Sequence, residues 1–227
     1  MSIYYQDEHA TLYHGDALDI LPTIADSSAR AMLLDPPYSM VPNAVRGRDD
    51  GAAGTSGAPM RLLSETAQHA RRIITPGGVA AIVSDWRRVP DVSYLVTLTG
   101  MRLATCVAWT RTTIGTGGLF RGAWDPILIA SNGTPEAVDR AGIPNVITAN
   151  PPHRRVHPYE KPVELWEHIL RRIPTGTVVE PFAGSGAGAI ASHNLGFKWI
   201  GVEIDEAYCE GIAQRLSRGV LDFGDAA

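Results

Sequence analysis

The sequence predicts an α/β fold, a doubly wound, mostly parallel sheet with helices on both faces. Three observations predict it. Short apolar runs alternate with helical stretches, the pattern of βα units. The run at residues 29–34 is almost wholly apolar, as a strand buried on both faces must be. A glycine-rich turn follows a short apolar run at residues 177–180 and opens a helix, a strand-turn-helix that open parallel sheets use at their ligand-binding edge.

Taken in order, residues 11–14 read as a short strand ending at Gly15-Asp16, with a helical turn through Leu18, Ile20 and Leu21. The strand at 29–34 stops at Asp35-Pro36-Pro37-Tyr38, because proline forbids its continuation. Residues 39–59 combine glycine, proline and opposite charges, the composition of a long loop, and loops of that length are commonly lids or binding loops. A helix at about 60–74 places Leu62, Leu63, Ala67, Ala70 and Ile73 or Ile74 on one face and ends at Pro76-Gly77-Gly78. Strands follow at 79–84, 103–110 and 126–130, and periodicity is then lost from 131 to 156. Order resumes with a helix at 162–172, a strand at 177–180, a helix at 186–194, a strand at 199–203 and a helix at 206–218. That makes roughly seven strands in a single domain spanning 1–227.

Composition narrows the function. A chain of 227 residues can bury roughly 70% of its unfolded surface. With 44% hydrophobic and 19% charged residues it is neither collagen, coiled coil nor disordered polymer. Cys106 and Cys209 show no ligand spacing, so neither a disulfide framework nor a metal site is expected, and a reducing cytoplasm fits. The N-terminus lacks a basic region followed by an apolar stretch, and no run approaches the ~20 apolar residues of a spanning helix, so no membrane association is expected. The net charge of −4 excludes a generic basic coat protein. Lys161 and Lys198 are the only lysines, and the arginines include doublets at 71–72, 87–88, 154–155 and 171–172. An arginine fork suits phosphates and guanine edges, although the arginine total also fits a GC-rich coding bias.

Two stretches carry chemistry. Val178-Val-Glu-Pro-Phe-Ala-Gly-Ser-Gly-Ala-Gly is a strand, a glycine turn and a helix N-terminus, where the backbone can approach a ligand with free N–H groups. Some twenty residues on, Glu203 ends the next strand, placed for a ribose diol. These parts alone fit a nucleoside cofactor, with NAD or FAD as competitors. Asp35-Pro36-Pro37-Tyr38 is sharper, since its chance occurrence here is on the order of one in a thousand. An exocyclic amine of a nucleobase is a poor nucleophile, and accepting both its N–H bonds helps the nitrogen pyramidalise. Asp35 can accept one and stabilise developing positive charge, the Pro36 carbonyl can accept the other, Pro37 stiffens the turn, and Tyr38 can stack on a flipped base.

On these residues the chain resembles the β group of DNA amino-methyltransferases, in which the catalytic motif precedes the S-adenosylmethionine motif. Asp35-Pro-Pro-Tyr matches the catalytic motif, and Glu180-Pro-Phe-Ala-Gly-Ser-Gly the cofactor loop, where the family usually begins with Asp. His157-Pro-Tyr-Glu-Lys-Pro resembles the motif opening the helix beside the cofactor, Trp199-Ile-Gly-Val-Glu-Ile-Asp the ribose-binding strand, and Gly15-Asp16 an element near the adenine. Thr75-Pro-Gly-Gly, Asp85-Trp86, Gly118-Leu-Phe-Arg and Pro126-Ile-Leu-Ile-Ala resemble core segments.

The resemblance implies a circularly permuted Rossmann-like methyltransferase fold and S-adenosylmethionine-dependent methylation of DNA by base flipping, at N6 of adenine. N4 of cytosine is the alternative, with an RNA or protein substrate or an inactive DNA-binding regulator further off. It implies cofactor contacts from Asp16, His157, Lys161, Pro162, Glu180, Pro181, Phe182, Ala183, Gly184, Ser185, Gly186 and Glu203, and target recognition within about 132–156. Arg46, Arg48, Arg154 and Arg155 are the candidate contacts to double-stranded DNA. A homodimer is allowed, since relatives are often dimeric.

Overall fold

A computed structural model describes residues 2–36, 58–115, 119–139, 142–153 and 159–217. Among them one sheet contains β1 (Ser2–Gln6), β2 (Ala10–His14), β3 (Ala29–Leu34), β4 (Ile74–Val83), β5 (Arg102–Thr110), β6 (Trp124–Ser131), β7 (Val146–Thr148), β8 (Thr177–Glu180) and β9 (Lys198–Glu203). The helices are α1 (Ala17–Ile20), α2 (Ala58–Ile73), α3 (Val89–Leu98), α4 (Val163–Leu170), α5 (Ala187–Asn194) and α6 (Glu206–Ser217). The sheet order is β1-β2-β9-β8-β3-β4-β6-β5-β7. The C-terminal strands β8 and β9 therefore lie between β2 and β3.

Pairing is parallel from β2 through β9, β8 and β3 to β4, and again between β5 and β7. It is antiparallel for β1 with β2 and for β6 with both neighbours. The expected mostly parallel sheet is present, with nine strands among the described residues where roughly seven were expected. The additions, β1 and β7, sit at the two edges.

Alternation along the central strands explains their nearly continuous apolar sequence. Ala31 and Leu33 belong to a core with Trp166, Ile190 and Trp199 on one face, whereas Met32 and Leu34 belong to a core with Ile73 and Val96 on the other. A strand that buries both faces has no room for polar side chains. The Pro76-Gly77-Gly78 stretch does not simply terminate a helix: α2 ends at Ile73, and β4 begins at once, with these residues in a register shift between its two pairings to β3. Gly77 has φ +79°, and its N–H donates to the Asn132 carbonyl at 2.8 Å. Helix α3 was not foreseen; of its residues only Val92 and Val96 are buried.

Among the described residues no helix is long and apolar enough to cross a membrane.

Candidate active site

Three neighbouring parallel strands lead to a carboxylate: β3 runs directly into Asp35, β8 ends in Glu180 and β9 in Glu203. Register sets their depth. Met32 pairs with Val179, so the next step brings Leu33 level with Glu180, and Glu180 itself pairs with Gly201. Asp35 and Glu203 thus project two residues beyond Glu180 at the carboxyl edge, where open parallel sheets bind ligands.

Glu180 is the deepest, 4% exposed, and its Oε2 accepts from Trp199 Nε1 at 2.9 Å. Burial, opposed by that bond and reinforced by the nearby charges of Asp35 and Glu203, pushes its carboxyl up to about 8. Burial of this kind favours the neutral form of a carboxyl. A Cβ on Gly188 would collide with it, so glycine in the first turn of α5 is what gives the carboxyl its place.

Glu203 is held by backbone. Its Oε2 accepts from Gly184 N–H at 2.7 Å, and its Oε1 accepts from Ile204 and Asp205 N–H, each at 2.9 Å. Three of the carboxylate's roughly four acceptor positions are thereby filled. The bond to Gly184 ties the end of β9 to the glycine loop, whose Gly184 (φ +52°) and Gly186 (φ +83°) are left-handed, a conformation glycine adopts without strain. At Gly186 a Cβ would also press on Ile212 of α6. Pro181, Phe182, Ala183 and Ser185 complete the loop, with Ala183 N–H donating to the Val202 carbonyl at 2.9 Å.

The end of β2 joins the same corner: His14 pairs with Glu203, and Gly15 N–H donates to the Glu203 carbonyl at 3.0 Å. Asp16, exposed, caps α1 by accepting from Leu18 N–H at 2.9 Å.

Asp35 is held differently. Its Oδ2 accepts from Lys161 Nζ at 2.5 Å across 126 residues of sequence. Lys161 stands between Glu160, 7% exposed, and Pro162, which caps α4. Glu160 accepts from Arg215 Nη1 at 3.3 Å, and the same nitrogen donates to the Ser185 carbonyl at 2.8 Å. Lys161, Glu160 and Tyr159 also border a cleft of about 380 Å³ whose other wall carries Trp109, Arg111 and Asp125. There the Arg111 guanidinium lies 4.8 Å from the centre of the Trp109 ring and pairs with Asp125.

Of the sequence-predicted residues, Asp35, Pro36, Lys161, Pro162, Asp16, Glu203 and the loop from Glu180 to Gly186 are described, and all stand at this edge or in the segments that pack on it. Pro37, Tyr38, Arg46, Arg48, Arg154, Arg155 and His157 lie outside the described residues. Arg215, Trp199, Arg111 and Asp125 were not singled out from sequence. Arg215 reaches partners 30 and 55 residues away, and the others bond to residues on neighbouring strands, contacts that no local pattern records.

The sequence model of the DNA methylase family (N6 and N4 methyltransferases) matches residues 29–215, most of this chain and all three strand-end carboxylates. The chain belongs to that family. This DNA methylase is 22% identical over 260 aligned residues to the type II methyltransferase M2.LlaDCHI of Lactococcus lactis subsp. cremoris, covering 95% of this chain and 92% of that protein. Its fold is similar to that of PvuII DNA methyltransferase, a cytosine-N4-specific enzyme (TM-score 0.76, 17% identity, 99% of this chain and 90% of that one). It is also similar to M1.HpyAVI, solved as a complex with S-adenosylmethionine (TM-score 0.70, 19% identity, 91% and 99%).

Proposed function

We propose that this DNA methylase transfers a methyl group from S-adenosylmethionine to an exocyclic amino nitrogen of DNA, N6 of adenine. The observation that carries the reading is the position of Asp35: a partly buried carboxylate just past the end of β3, followed by the buried Pro36 and two strands from Glu203.

The donor set fits S-adenosylmethionine. Glu203 offers its remaining acceptor position to a ribose hydroxyl, and Ile204 beside it is 68% exposed, an apolar surface suited to a purine face. Asp16 stands at the adjoining strand end, and Ser185 and the glycine loop supply polar groups. Glu180 is assigned to the methionine end. When bound, the cofactor supplies an electrophilic methyl whose C–S bond breaks, the electron pair returning to sulfur, as the amine lone pair forms the new N–C bond.

The chain's own residues prepare the amine for this. Asp35 accepts one amine N–H and the Pro36 carbonyl the other, which turns the nitrogen lone pair out of the base ring and stabilises the positive charge that develops on it. Asp35 then stands to receive the proton that the methylated nitrogen sheds. Tyr38 is assigned to stacking on the extruded base. Adenine is favoured over cytosine because the motif begins with Asp, where N4-cytosine enzymes of the resembling group often begin with Ser.

The test is to incubate the protein with S-adenosylmethionine and unmethylated DNA, digest the DNA to nucleosides and identify the product by mass spectrometry. N6-methyladenine is expected. N4-methylcytosine would retain the chemistry and correct the base, and absence of any methylated nucleoside despite cofactor binding would overturn the reading.

A further inference from the structure

The resemblance assigns Lys161 to the cofactor, yet its ammonium lies 2.5 Å from Asp35 Oδ2, with side chains only 12% and 22% exposed. Its other hydrogen bond, to the Tyr159 carbonyl, is long at 3.4 Å. Among the described residues it is the one cation ion-paired with any of the three strand-end carboxylates.

The lysine is delivered from a fixed base. Glu160 is buried and bonded to Arg215, Arg215 holds the Ser185 carbonyl in the glycine loop, and Pro162 starts α4 with its φ locked. The backbone on both sides of Lys161 is therefore anchored, and with its side chain only 12% exposed the stem has little room to carry the ammonium away from Asp35. An ammonium is a compact point charge, so it can occupy one carboxylate oxygen and leave the other open, whereas a guanidinium fork tends to cover both.

We infer that Lys161 is a positioning residue for methyl transfer: by binding Oδ2 it fixes the plane of the Asp35 carboxylate and presents Oδ1 to the target amine. This rests on the reading of Asp35 as the acceptor of that amine. Because Glu160 and Arg215 connect the same segment to the glycine loop, the lysine also sets the acceptor's place relative to the cofactor loop.

Steady-state kinetics and cofactor titration on Lys161→Met and Lys161→Arg test it. A misplaced reacting group costs about 10²-fold in rate, so Lys161→Met is expected to lose about that in kcat at saturating DNA and cofactor. Its Kd for S-adenosylmethionine should stay within about threefold of wild type, the mark of an interaction used in the transition state and not in cofactor binding. Lys161→Arg, which keeps the cation and so the fold, should recover only part of kcat because its fork covers Oδ1. Unchanged kcat in Lys161→Met, a loss confined to cofactor Kd, or full recovery in Lys161→Arg would each overturn the assignment. Asp35→Ala separates the two levels: if that variant still turns over, the amine-acceptor reading itself fails, whereas an inactive Asp35→Ala beside a fully active Lys161→Met removes only the role of the lysine.

Discussion

Asp35 and Glu203 are both carboxylates at the carboxyl edge of one sheet, and they are held in opposite ways. Glu203 accepts N–H groups from Ile204 and Asp205, its immediate successors in sequence, and from Gly184 in the adjoining turn. Asp35 is held by a side chain that arrives from 126 residues away. Backbone donors are set by the fold itself and cannot be removed by replacing a side chain. A cross-chain ion pair depends on every element that carries its partner. The Glu203 corner, which we propose holds the cofactor, is thus fixed by backbone groups, and the Asp35 corner, which we propose holds the target amine, by a tertiary contact whose lysine-bearing segment is joined to the Ser185 carbonyl through Glu160 and Arg215.

The comparison breaks if the two acids can be exchanged in effect. The largest change is expected for Asp35→Ala: a loss of about 10²–10³ or more in kcat, the scale of removing a preorganised group that stabilises developing charge. The Kd for S-adenosylmethionine, read by calorimetry, should stay near wild type. Tyr38 comes next. Stacking of a base on an aromatic side chain is worth about 1–3 kcal/mol, so Tyr38→Ala should slow transfer by about 5- to 150-fold, while Tyr38→Phe, which retains the ring, stays close to wild type; equal damage in both variants would replace the stack by a hydrogen bond. Glu203→Ala should do the reverse of Asp35→Ala, weakening cofactor binding by about tenfold, the scale of one hydrogen bond to a charged group, with kcat largely restored at saturating cofactor. A kcat defect that saturation does not relieve would show the two corners to be one.

Much of this architecture is legible in the residues. The strands expected at 29–34 and 177–180 have those bounds in the fold, and the helix expected at 206–218 is α6, Glu206–Ser217. Their signals are strong because each buries a continuous face or ends at a proline or glycine turn. The three missed elements give weaker signals. β7 has three residues, too few to show alternation. β1 is an edge strand whose residues are exposed or half-buried, although Ile3, Tyr4 and Tyr5 are strand formers. α3 buries only Val92 and Val96 and is rich in β-branched residues that speak for strand. At the site, motifs located the strand ends but not the contacts between them. Nothing near Lys161 in sequence points to Asp35, and nothing near Arg215 points to the Ser185 carbonyl, because contacts across 30 to 126 residues are consequences of topology.

Glu180 supplies the smallest and most specific test, since it lies between the two corners and behaves like neither. Its folded pKa of about 8 stands above its ordinary value of 4.5, so the folded protein binds a proton that the unfolded chain has released. Stability drawn from that protonated, Trp199-bonded carboxyl is therefore complete below about 4.5, declines as pH rises towards 8, and does not fall further once the folded group has ionised. Glutamine is neutral throughout and can still accept from Trp199. Across thermal melts from about pH 5 to 9, the Tm of wild type should fall relative to that of Glu180→Gln up to about pH 8 and run parallel beyond. A constant offset would mean that Glu180 does not titrate in this range. Repeating the series with saturating S-adenosylmethionine sharpens the comparison: an ammonium at the methionine end would favour the ionised carboxylate and flatten the slope, whereas an unchanged slope would assign Glu180 to holding α5 and β9 together, leaving cofactor recognition to the Glu203 side of the sheet.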